Sequence, residues 1–180
     1  MPKKKFITHC TKLSVRVISA LALAGPILLL GGSEALAHKC KPVHGQFINQ
    51  VVVPTGPTCT SPVAINTCVS GRAIGVLKGD FLATITSITP SIDTAVTSVI
   101  FETADLVIHT KDGDLHLKEA ASYNADPNGH GDLGDVVTVV GGSTGKWAGA
   151  TGRLRVWGNL TPTESDVNYE GEVCRPHEQE

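Results

Sequence analysis

Past residue 37 the sequence has almost no helical periodicity and no internal repeat, which argues against a helical bundle or a solenoid. It has no Cys-x-x-Cys pair, so the ligand spacing of a structural zinc site is missing. It has no Gly-x-Ser-x-Gly elbow, and its serines lie in turns or alternating strands, which leaves Ser-His-acid catalysis without support. Its one long apolar run, from Val17 to Leu30, is interrupted by Ser19, Gly25 and Pro26. That run is too short and too broken to span ~30 Å of hydrocarbon comfortably. Basic charge is also scarce outside the first 37 residues. That segment holds five of the 15 Lys and Arg but one of the 17 Asp and Glu, leaving 10 basic residues against 16 acidic. A net charge of −6 repels nucleic acid and anionic membranes, so neither is expected as a partner.

Residues 1–37 have the three regions of a cleavable secretory signal. Lys3, Lys4, Lys5, Lys12 and Arg16 form the basic region, the Val17 run forms the apolar one, and Ala35-Leu36-Ala37 gives the small-x-small cleavage pattern. Cleavage after Ala37 predicts a secreted or periplasmic protein. Cys40, preceded by Ala37-His38-Lys39, lacks the small residues of a lipidation site. Residues 38–180 are then one domain, large enough to bury a core without metal, with 38–44 and 175–180 as tails.

Four cysteines stay after cleavage: Cys40, Cys59, Cys68 and Cys174. An even count in an exported chain suggests two disulfides, with three possible connectivities. Cys59 and Cys68 flank a loop-like stretch and can close a short ring. Cys40 and Cys174 would then tie the two ends together.

Alternation, Thr/Val/Ile enrichment and glycine punctuation predict strands over 45–53, 72–89 (bent near Gly79), 95–110, 136–140, 153–160 and 168–173. With Asp112-Gly113 as a two-residue hairpin turn, Thr110 faces Leu115, His109 faces His116 and Ile108 faces Leu117. Leu106, Ile108, Leu115 and Leu117 then share one face, and Val107, His109, His116 and Lys118 the other. Residues 123–135 read as a Gly/Asp/Asn loop. Many short strands without intervening helices predict a barrel or a sandwich.

Residues 139–152, VVGGSTGKWAGATG, resemble the glycine-rich signature of the allene oxide cyclase and dirigent β-barrel superfamily. That signature is a strand, Gly-Gly-Thr-Gly, a basic or apolar residue, an aromatic, then small residues ending in Gly. Secreted bacterial barrels similar to this family also carry an upstream pattern that Cys59-Thr60-Ser61-Pro62, Cys68 and Gly71 match in order. Ser143 is an extra residue inside the signature. The resemblance implies an antiparallel, calycin-like β-barrel of about eight strands, one able to self-associate, with no cofactor. It makes Gly141, Gly142, Gly145, Gly149 and Gly152 a tight corner beside which Trp147 plugs a gap. A nucleotide loop is excluded, because the GxxxxGK[ST] spacing fails and no helix follows.

The family's catalytic residues lie outside this signature, so no catalytic residue is assigned. The preferred expectation is a non-catalytic binding or structural module whose mouth takes a small apolar ligand. The alternative that the resemblance implies is a cyclase or isomerase guiding a reactive molecule. Acidic or aromatic side chains in an open lumen would favour chemistry, and a lumen filled with aliphatics would disfavour it. Other candidates read more simply. His109 and His116 lack a third metal ligand and fit an ordinary surface. His38, as a new amino terminus, could chelate copper only with His44 or His130 on a rigid core. Asp126, Asn128, Asp132 and Asp135 are oxygen-rich enough for calcium but equally ordinary as turn residues. Asn159-Leu160-Thr161 is a glycosylation sequon relevant only in a eukaryotic host.

Overall fold

In the computed structural model of the chain, residues 38–54, 56–63, 68–93, 98–125, 130–161 and 165–176 are described. The leader, Asp126 and Asn128 lie outside them. Eight strands follow in order: β1 (His38–Val53), β2 (Cys68–Gly75), β3 (Gly79–Pro90), β4 (Val99–Thr110), β5 (Gly113–Ala125), β6 (Gly131–Val139), β7 (Thr151–Leu160) and β8 (Ser165–Pro176). Each pairs antiparallel with the next and β8 pairs with β1, giving a closed eight-stranded barrel. Closure removes the unpaired edges that an open sheet would expose.

Period-two alternation sends one side chain in two to the lumen. On β4 and β5 the inward set is Ala104, Leu106, Ile108, Leu115 and Leu117, all under 4% exposed. The face assignment from the sequence is therefore correct, but the register is not. Ile108 faces Leu115, Leu106 faces Leu117, His109 faces Asp114 and His116 faces Val107. The turn residues are Lys111 and Asp112, and Gly113 already pairs with Thr110. Thr110 Oγ1 fixes this turn by donating to Gly113 O (2.7 Å) and accepting from Asp112 N (3.1 Å). Gly113 adopts φ +125°, where a Cβ would strike Thr144 O. A slip of two residues changes every partner and no face, so the aliphatic pattern alone could not detect it.

Other boundaries differ as well. β1 starts at His38 rather than Gly45, because the presumed tail 38–44 pairs with β8 as far as Pro176. The stretch 72–89 is two strands, with the chain reversing at Val76-Leu77-Lys78. The 123–135 loop is mostly strand, since β5 runs to Ala125 and β6 starts at Gly131.

The end of the barrel holding the β2–β3 and β4–β5 turns is filled. Leu77 is fully buried there, and its N–H donates to Tyr169 Oη (2.9 Å), which in turn donates to Ile74 O (2.9 Å). Cys40 and Cys174, opposite each other on β1 and β8, form one disulfide, and Cys59 and Cys68 form the other.

Candidate functional site

The glycine-rich segment is part of the filled end. It connects β6 to β7 and zips onto the β4–β5 hairpin rather than bending a strand. Thr144 N donates to Asp114 O (2.8 Å), Lys146 N to Asp112 O (2.9 Å), and Trp147 Nε1 to Thr110 Oγ1 (2.9 Å). Ser143, the residue extra to the family pattern, accepts from His116 N (3.0 Å). Gly145 has φ +56°, and a Cβ there would strike Asp112 O. Gly141 and Gly142 are exposed with room around them, Gly149 lies over Pro176, and Gly152 presses on Glu172 across β7–β8. Trp147 is half-buried against the core beneath the Arg175 guanidinium. No side chain of this segment reaches the lumen cavity.

The opposite end is less tightly packed among the described residues. A cavity of about 90 Å³ lies there between Phe47, Phe81, Ile85, Leu106, Val156 and Val167, and three carboxyl groups line it: Glu102 on β4, Glu119 on β5 and Asp135 on β6. Register explains their convergence. Glu102 faces Ala121 and Glu119 faces Ala104, so the two acids are diagonal neighbours. Glu119 faces Val137 and Asp135 faces Ala121, a second diagonal. Diagonal pairs on one face are within reach of long side chains, and the alanines between leave room for them. Above the acids, the inward register continues through Val52, Ile88, Ile100, Tyr123 and Leu133, an apolar collar of which Leu133 lines the cavity and Val52 and Ile88 stay exposed.

This setting changes the acids. Among the described residues, no Lys, Arg or His lines the cavity. Burial pushes Glu102 above the usual carboxylate range. Glu119 is pushed well above it, first by burial and then by the charge of Asp135. Asp135 is 6% exposed and is pushed up to about 7 by burial, against the opposing effect of its hydrogen bond with Glu119. Their hydrogen bond raises Glu119 and lowers Asp135, so of the two Glu119 keeps its proton longer and is the donor to Asp135. Asp135 Oδ1 is buried with no hydrogen-bond partner.

The sequence assigned no role to Glu102 or Glu119 and set Asp135 in an oxygen-rich stretch that reads equally as ordinary turn residues. Asp135 instead points into the lumen, whereas Asp132 is exposed and accepts from Asn159 Nδ2 (2.6 Å), so these two do not converge on one ion. Extending the alternation Leu115-Leu117-Glu119 and Ile108-Leu106-Ala104-Glu102 would have put two of the acids inside. His109 and His116 lie on the outer face, and His109 Nδ1 pairs with Asp114 Oδ1 at 2.9 Å. His38 opens β1, but its side chain lies outside the described set; His44 and His130 are exposed. Among the described residues, the one cluster with ligand spacing is Cys40, Glu172 and Cys174, whose thiols are consumed by their disulfide.

No family model and no curated protein matches the sequence. Two solved pterocarpan synthase dirigent proteins resemble the chain at 15% identity each. They cover 78% of it and 97% and 92% of their own lengths, with TM-scores of 0.29 and 0.28. The overlap is loose, and the site stands on its own geometry.

Proposed function

We propose that the protein is an exported barrel whose less tightly packed end binds a small, largely apolar molecule and moves protons on it, as an isomerase or cyclase does. The observation that supports this is the placement of Glu102, Glu119 and Asp135 in an apolar cavity with no counter-cation among the described residues. A lumen packed with aliphatics would have favoured the non-catalytic reading, and here only the filled half is packed that way. A proton held by Glu119 beside Asp135 supplies a donor and an acceptor together. Such a pair suits a reaction that takes a proton from one atom and returns it to another. The cavity is smaller than a typical ligand pocket of roughly 300–1,000 Å³. It therefore takes the reacting end, while the ligand body rests on the collar. The resemblance of residues 139–152 to the allene oxide cyclase and dirigent superfamily agrees with this class of chemistry.

Carboxyl ¹³C NMR titration, with and without benzyl alcohol as a small neutral probe, tests the reading. At least two of the three carboxyls should keep protons well above the ordinary range, and the probe should shift the signals of all three. Three ordinary titrations, or a probe response confined to the outer face, would overturn it.

A further inference from the structure

The cavity has an electrostatic vacancy. Among the described residues, every charged side chain lining it is acidic, and the lining contributed by β1, β2, β3, β7 and β8 is uncharged, with Gln50 its one polar member. The nearest cations on β4–β6 face outward; Lys118, for example, pairs with Asp105 on the outer wall. Asp135 Oδ1, on a side chain more than nine-tenths buried, accepts no hydrogen bond. A buried acceptor left unmet costs free energy that an incoming donor recovers. We infer that the ligand class of this site is a small molecule with a protonated nitrogen on an apolar body, its ammonium seated against Asp135 and Glu102. The inference rests on the proposed ligand-binding role of the chamber and names the chemistry of what it binds.

The alternatives fare worse. A carboxylate or phosphate would add negative charge beside acids whose own ionisation burial already opposes, in a low-dielectric space where like charges repel strongly. A neutral hydroxyl can donate one hydrogen bond to Oδ1 but leaves the negative charge uncompensated. An ammonium donates up to three hydrogen bonds and supplies the missing charge. Its arrival favours the ionised acids, so protons leave the site as the cation enters. Phe47 and Phe81, stacked edge to face at 4.9 Å on the opposite wall, offer the apolar body a flat partner.

The test is calorimetric titration of the full chain with benzylamine, benzyl alcohol and benzoate, three probes of one shape. Benzylamine should bind at least about tenfold more tightly than benzyl alcohol, the equivalent of one pH unit of proton linkage. It should bind better on the alkaline side of pH 7 than on the acid side. Its heat should change with the buffer's ionisation enthalpy, as proton release requires. Benzoate should not bind. Asp135→Asn should erase the preference for the amine over the alcohol, and Glu102→Gln should weaken it, each in a protein whose melt confirms folding. Equal binding of amine and alcohol, independent of pH, would overturn the cation inference and leave the chamber reading standing. Failure of all three probes to bind would overturn both.

Discussion

A carboxyl group that keeps its proton to about pH 7, as Asp135 does, makes folding pH-dependent in a definite direction. In the unfolded chain Asp135 loses its proton near its ordinary value of 3.8, whereas in the barrel it holds on to about 7. Below both values the two states bind the same proton and this residue costs nothing. Between them the folded state binds more protons, so stability falls as pH rises, and above 7 the loss is complete. Glu102 and Glu119, also raised, act in the same sense. Asp135→Asn should therefore stabilise the protein at pH 8 by on the order of 4 kcal/mol and leave it nearly unchanged at pH 4. Urea unfolding at the two pH values checks this, and a variant less stable at pH 8 would contradict it. Asp135 was hard to read from sequence because a run of Gly and Asp looks like a turn. Only the partner strand, which places Asp135 opposite the buried Ala121, shows that it faces inward.

At the scale of elements, the filled end depends on the clasp between the 140–150 segment and the β4–β5 hairpin. Gly145→Val forces a side chain into a left-handed conformation and into Asp112 O, and should cost roughly 1–3 kcal/mol. Gly141→Val, with open space and no positive φ, should cost little, and guanidinium melts of the two compare them directly. Trp147→Ala should cost about 2 kcal/mol, below the range for a fully buried ring, because the indole is half-exposed and its Nε1–H can turn to water. The strand pattern was largely legible, since Leu106, Ile108, Leu115 and Leu117 alternate clearly. The hairpin register was not, because Asp112-Gly113 and Lys111-Asp112 turns bury the same aliphatic face. A hydroxyl on Thr110 and a contact from Thr144, 30 residues beyond Asp114, settle it. The disulfides act on this scale too. Cys40–Cys174 spans 134 residues and Cys59–Cys68 spans nine, so the chain-entropy argument gives the first the larger effect, about 5 against 3 kcal/mol. Paired Cys→Ala variants should rank in that order by melting temperature.

Across the whole molecule, packing quality divides along the barrel axis. One end is closed by Leu77, Tyr169, Leu154 and Ile108, each at most 1% exposed, with the Tyr169 hydroxyl satisfied on both sides. The other end keeps a void, three acids and an orphaned oxygen, features that each oppose folding. A barrel wall built for stability alone would fill this space with aliphatics, as the same strands do a few residues away. β1 also carries a bulge beside the cavity, where Asn49 takes φ +54° and register shifts between Ile48 and Val51, bringing Gln50 to the cavity wall. Bulges commonly re-aim a side chain next to a working site. If the void serves binding, filling it should leave the fold intact and remove the ligand. Ala83 lines the cavity at 6% exposure, and Ala83→Leu places three extra carbons in it. The expected outcome is an unchanged or higher melting temperature, by up to about 1–2 kcal/mol of added apolar burial, with benzyl alcohol and benzylamine binding both lost. A destabilised variant that still binds both probes would mean that the ligand sits elsewhere and that the acids face a packing defect.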